Sequence, residues 1–143
     1  MYQTAVKKLS RFVVRKSVFF LPEERQIAIE RRHRGREQLG KLRRADATIV
    51  SHGKSGRTWL RVMLSRIYQQ RYDLPEGSLI SFDDFHRRNA AVPKIFFTHD
   101  NYLRDYTRST SAAADYGGRR VLMLVRHPAD VTVSQYFQWK HRM

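Results

Sequence analysis

In "SHGKSGRTWL", residues 51–60, two glycines and a lysine fall between a short apolar run and a helical pattern. The preceding "ADATIVSHG" reads as a strand entering a glycine turn. The following "RTWLRVMLSRIYQQR" puts Trp59, Leu60, Met63, Leu64 and Ile67 on one helical face. A loop joining a buried strand to a helix start presents unpaired backbone N–H groups and the positive end of the helix dipole, so it suits an anion. Gly53 and Gly56 let the backbone close on that anion, Lys54 adds a point charge, and Ser55 and Thr58 can donate hydroxyl hydrogen bonds. Residue types and order describe a phosphate or sulfate cradle.

Outward from this unit, "KIFFTH" reads as a second strand and "RRVLMLVRHP" as a third, all apolar enough to be buried on both faces. Pro128 then sits at a first helical position with Asp130 in the first turn, and Val133, Tyr136 and Phe137 are the expected buried face of that helix. Strands alternating with helices imply an α/β fold with a parallel sheet. Upstream, Pro22 followed by Glu23 and Glu24 starts a polar helix running to about Leu42, weakened at Gly35 and Gly40 by about 1 kcal/mol each relative to alanine. The expected organisation is a basic helical arm over residues 1–44 and an α/β domain over 45–143.

Charge is unevenly placed. Residues 1–44 hold 13 basic and four acidic side chains, whereas 45–143 hold 15 and nine, so the arm is the most basic part of a chain whose net charge is +15. Such a surface attracts polyanions or anionic substrates. Val6, Leu9, Phe12, Val13, Phe19 and Phe20, interspersed with lysine and arginine, form a basic amphipathic segment. It can lie on an anionic membrane, act as a transit peptide or pack on its own domain. The chain has no cysteine, which excludes disulfide scaffolds, thiolate metal sites and cysteine nucleophiles and is compatible with a reducing compartment. No run approaches the roughly 18 apolar residues that span a bilayer. A cytoplasmic chain, with peripheral membrane contact through the arm as an option, is the expectation.

The nucleoside triphosphatase loop needs four residues between its glycines and then Gly-Lys-Ser/Thr. Here Gly53 and Gly56 are closer than that, and Lys54 precedes the second glycine. A P-loop kinase-like protein is thereby the weaker enzyme reading. "KSGRTWL" instead resembles the 5′-phosphosulfate-binding loop of sulfotransferases that use 3′-phosphoadenosine 5′-phosphosulfate (PAPS), with Arg57 at the place of the commoner threonine. "VRHPADVTVSQYF" resembles the 3′-phosphate motif of the same family, an arginine followed eight residues later by a serine, here Arg126 and Ser134. In "FFTHDN", Thr98 and His99 align with the family's strand-end Lys-Thr-His, and Phe97 replaces the lysine.

The resemblance implies a P-loop-type three-layer sheet flanked by helices, with PAPS as sulfuryl donor and no metal. It gives Lys54 the bridging oxygen of the leaving phosphate, and lines the 5′ end of the donor with Ser55, Gly56, Arg57, Thr58 and Trp59. Arg126 and Ser134 take the 3′-phosphate. His99 is the candidate base, since an imidazole readily exchanges a proton near neutral pH and such a base contributes about 10²- to 10⁴-fold. Branches acting on carbohydrates often use a carboxylate, so Asp83, Asp84 and Asp100 stay as alternatives. The resemblance covers roughly residues 47–136, and the family's later Gly-x-x-Gly-x-Trp segment has no counterpart. The expected fold is therefore the first half of such a domain, with apolar faces left uncovered. A small-molecule, lipid or carbohydrate acceptor is implied without choosing among them; "GSLISFDDFHRRNAAVP" is either an acceptor pocket lined by Phe82, Phe85 and His86 or an ordinary solvated loop. A different class altogether is a basic module binding nucleic acid or anionic lipid through Arg31, Arg32, Arg34, Arg36, Arg43 and Arg44. No zinc-finger or RNA-motif signature accompanies that charge, so no specific nucleic acid is expected.

Overall fold

Residues Ala47–Ser51 form strand β1, whose β-branched Thr48, Ile49 and Val50 suit an extended backbone. A computed structural model describes residues 18–142. In it β1 is the middle of three parallel strands in the order β2-β1-β3, with β2 at Ile95–Thr98 and β3 at Val121–Leu124. Ala47 lies opposite Ile95 in one ladder, and Thr48 opposite Val121 in the other. Helix α1 spans Glu23–Arg44, α2 Arg57–Tyr72, α3 Leu103–Thr107, α4 Ala112–Tyr116 and α5 Pro128–Arg142. The described residues thus have a coarse α/β architecture with a small open parallel sheet, and none of their helices is long and apolar enough to cross a membrane.

The described residues group into two compact units, one containing those up to Leu39 with Asn101–Asp115, the other Gly40–Asp100 with Tyr116 onward. The second unit holds the sheet. Its core is Ile49, Leu74, Ile80, Phe85, Val92 and Ile95, against which Leu60, Leu64, Tyr68, Tyr72, Phe97 and Leu124 pack. Burying a side chain the size of Phe85 contributes roughly 1.5–3 kcal/mol. Beneath α2, the Ser65 hydroxyl accepts from the Ile80 amide at 2.8 Å and Gln69 Nε2 donates to the Ser78 carbonyl at 3.0 Å, satisfying the chain that crosses under the helix.

One helical face is divided here, and two expected burials are corrected. On α2 the covered stripe is Leu60, Leu64, Tyr68 and Tyr72, whereas Trp59, Met63 and Ile67 face outward, Trp59 being 75% exposed. The strand β3 is not buried on both faces: it is an edge strand, and Met123 is 69% exposed. On α5, Val133, Tyr136 and Phe137 are all more than half exposed. Each segment has the apolar side chains for burial, but among the described residues Leu124 packs against the core while Val121, Leu122 and Met123 of β3 and that side of α5 stay exposed.

In the first unit, Gly35 is not merely a weak point in α1. A Cβ there would clash with the Tyr102 carbonyl oxygen and lie 2.6 Å from the Tyr106 Cβ, so the glycine lets α3 lie against the helix. Arg34 reaches across to the Tyr102 hydroxyl at 3.0 Å, and Arg31 pairs with Asp105 at 2.7 Å. Gly35→Ala is therefore expected to destabilise the chain despite its better helix propensity, because overpacking against backbone costs about 1–3 kcal/mol and alanine returns only about 1. A lowered urea midpoint checks it; Gly40→Ala, with open space around its Cβ, should not lower it.

A candidate anion-binding site

Strand β1 ends at Ser51, and the chain turns through His52–Gly56 into α2. Two left-handed residues make that turn: Lys54 at φ 64° and Gly56, the N-cap of α2, at φ 93°. Glycine tolerates the conformation freely, while lysine adopts it at some cost. No side chain caps the helix, so its first amides point outward without a protein acceptor. The Ser55 hydroxyl is buried below the loop and has no hydrogen-bond partner, and neither does that of Ser51. Buried hydroxyls normally find partners.

The loop forms one wall of an open cavity of about 480 Å³. Lys54, Arg57, Thr58 and Trp59 come from the loop and first turn of α2, His99 from the end of β2, and Arg126 and Ser134 from the connection after β3 and the face of α5. Residues 72 apart in sequence, Lys54 and Arg126, thus share one cavity, and the Arg126 guanidinium lies 3.4 Å from the Lys54 carbonyl oxygen. Arg126 also approaches Asp130 at 3.5 Å, one helical turn on. Both contacts are long for hydrogen bonds, leaving its planar fork available. No carboxylate lines the cavity, and three cationic side chains do.

Ser55 stands apart from its expected neighbours. It does not line this cavity but a second one of about 370 Å³, together with Val125, Arg126 and Thr132. Sequence reasoning also missed Gln135, Gln138 and His52, which line the main cavity. Gln138 lies one helical turn beyond Ser134, so the α5 periodicity could have found it.

His99 Nδ1 is 2.7 Å from the Ser51 carbonyl oxygen. A carbonyl only accepts, so Nδ1 carries the hydrogen, and the neutral ring keeps its lone pair on Nε2. The alternative carboxylates are occupied elsewhere. Asp84 Oδ1 accepts from the Ser81 and Phe85 amides, Asp100 Oδ1 accepts from the Tyr116 hydroxyl at 2.8 Å, and Asp83 faces Arg87 at 3.5 Å. In the suggested acceptor segment, Phe85 is only 1% exposed and belongs to the core, so it is corrected from a pocket to a packing role, and His86 Nδ1 lies 2.8 Å from the Val92 carbonyl oxygen.

Arg57 is partly buried without a hydrogen-bond or ion-pair partner among the described residues. Burial first, and the neighbouring Arg61 second, lower its pKa from the usual guanidinium value. No cluster of side chains fit to hold a metal ion occurs among the described residues. No protein-family model, curated protein or solved structure matches this chain.

Proposed function

We propose that this chain is a sulfotransferase-type protein that holds PAPS in the cavity between the β1–α2 loop and α5. Its fold is then the P-loop-type sheet of that family. One observation carries the reading: the loop resembling a 5′-phosphosulfate cradle and the spaced Arg126 and Ser134 resembling a 3′-phosphate grip line the same cationic cavity. Its volume lies within the range of small-molecule sites. The uncapped helix start and the unpaired Arg57, both at this cavity, each lack what an anion supplies.

In this reading Lys54 and the α2 amides stabilise charge developing on the 5′-phosphate, and Arg126 with Ser134 fixes the opposite end of the nucleotide. The donor supplies the sulfuryl group. As the acceptor oxygen bonds to sulfur, the bond from sulfur to the bridging phosphate oxygen breaks, 3′-phosphoadenosine 5′-phosphate leaves, and His99 Nε2 takes the hydroxyl proton. The tether of Nδ1 to Ser51 orients the ring for that step. A polyanion-binding module is less well supported, since Arg31 and Arg34 of the arm are already paired with Asp105 and Glu30.

Calorimetric titration of the chain with 3′-phosphoadenosine 5′-phosphate tests the reading. Saturable one-to-one binding in the micromolar range or tighter, at least tenfold tighter than adenosine itself, is expected from two phosphate grips, each tenfold step being about 1.4 kcal/mol. A folded chain that binds both equally overturns it.

A further inference from the structure

The loop's departure from the resembled pattern is Arg57, and its surroundings suggest what the departure serves. Arg57 lines two cavities: the one assigned to the donor, and a smaller one of about 190 Å³ to which β2 contributes Phe96 and Phe97. The smaller cavity adds Lys41 and Arg61 to Arg57, with Phe82 and Phe97 among its walls and no carboxylate. Arg61 sits one turn after Arg57 on α2. Its Nε donates to the Ile80 carbonyl at 2.8 Å and its guanidinium lies over the Phe97 ring, 5.6 Å from the centroid, so the side chain is held in place. Two guanidiniums on one helical face repel each other, and Arg57 has no protein anion to offset this. A donor at the main cavity answers Arg57 at most, and Arg61 does not line that cavity. The smaller cavity therefore calls for an anion of its own.

We infer that it receives the acidic group of the acceptor, so that the substrate is a hydroxyl compound bearing a carboxylate or sulfate about one ring away from the reacting oxygen. This rests on the sulfotransferase reading. His99 lies just beyond β2 and two residues after Phe97, roughly 7 Å along an extended chain, and Arg57 lines both the cavity that holds His99 and the one that holds Phe97 and Arg61, so a single aromatic or sugar ring with its acid at Arg57 and Arg61 can turn its hydroxyl toward His99. The Phe97 and Phe82 rings supply apolar surface for the ring itself.

The probes are 4-hydroxybenzoate and its neutral methyl ester, titrated calorimetrically into the chain saturated with 3′-phosphoadenosine 5′-phosphate, with nucleotide affinity read in the same preparations. The carboxylate should bind about tenfold tighter than the ester, the worth of one charge-assisted hydrogen bond. Arg61→Gln should abolish that preference and Arg61→Lys should keep most of it. Arg57→Thr, which removes no protein contact, should reduce the preference even if Arg61→Gln lowers the melting temperature. Equal binding of acid and ester, or a preference that survives both Arg61→Gln and Arg57→Thr, overturns the inference and leaves nucleotide binding intact. A preference without nucleotide binding overturns the donor reading, and with it the assignment of the probe as an acceptor.

Discussion

His99→Asn is expected to lower sulfuryl transfer by about 10²- to 10⁴-fold while leaving nucleotide affinity within about twofold. Asparagine is the informative replacement because its amide N–H can still donate to the Ser51 carbonyl, as His99 Nδ1 does at 2.7 Å. The local tether is kept and only the Nε2 acceptor is lost. A deficit due to proton removal has a second signature: it shrinks across a series of phenolic acceptors as the phenol becomes more acidic, because an ionised acceptor needs no base. A deficit due to misplaced backbone does not depend on acceptor acidity. Transfer of labelled sulfate, measured for wild type and variant over that series, separates the two. Asp83→Asn, Asp84→Asn and Asp100→Asn serve as the comparison, since their carboxylates hold Arg87, the Ser81 and Phe85 amides, and Tyr116. Wild-type rates in His99→Asn with a large loss in one of these would transfer the role to a carboxylate.

Much of the site was legible because its signals are local. A β-branched run, a pair of glycines and an uncapped helix start specify strand, turn and helix within about 25 residues, and Ala47–Ser51, Gly56 and Arg57–Tyr72 follow that pattern. The α5 start at Pro128 was equally local. What the sequence left open was which side of each element is covered. Trp59, Met63 and Ile67 and their neighbours Leu60, Leu64 and Tyr68 form two adjacent stripes on one helix, and periodicity cannot choose between them; the strand underneath does. An apolar strand such as β3 has the same pattern at a sheet edge as in its centre. Asp84 looked like a candidate base because spacing does not distinguish a carboxylate facing a cavity from one that caps a turn. Gly35 looked like a flaw in a helix until Tyr102 and Tyr106, some 70 residues later, supplied its reason.

Lys54→Ala and Arg126→Ala should both weaken binding of 3′-phosphoadenosine 5′-phosphate, but with different selectivity. A hydrogen bond to a charged group contributes roughly 1.5–3 kcal/mol, which corresponds to a loss of about ten- to hundredfold in affinity for each variant. Neither change should cost much stability. The Lys54 backbone is already left-handed, a conformation alanine adopts no worse than lysine, and Arg126 makes only a 3.5 Å contact with Asp130 and a 3.4 Å contact with the Lys54 carbonyl. Exposed pairs of this kind contribute about 0–1 kcal/mol. If Arg126 grips the 3′-phosphate, Arg126→Ala abolishes the preference for the 3′,5′-bisphosphate over adenosine 5′-phosphate and leaves affinity for the latter nearly unchanged. Lys54→Ala weakens both 5′-phosphorylated ligands and spares adenosine 3′-phosphate. Arg126→Lys should recover only part of the loss, because a lysine restores the charge without the two-pronged geometry. A polyanion binder gives another pattern: affinity falls similarly in both variants, does not distinguish the position of the phosphate, and drops steeply with salt in proportion to the number of contacts. Three nucleotides and three variants therefore separate a site with two ends from a surface with none, and the orientation of the nucleotide follows from which variant loses which phosphate.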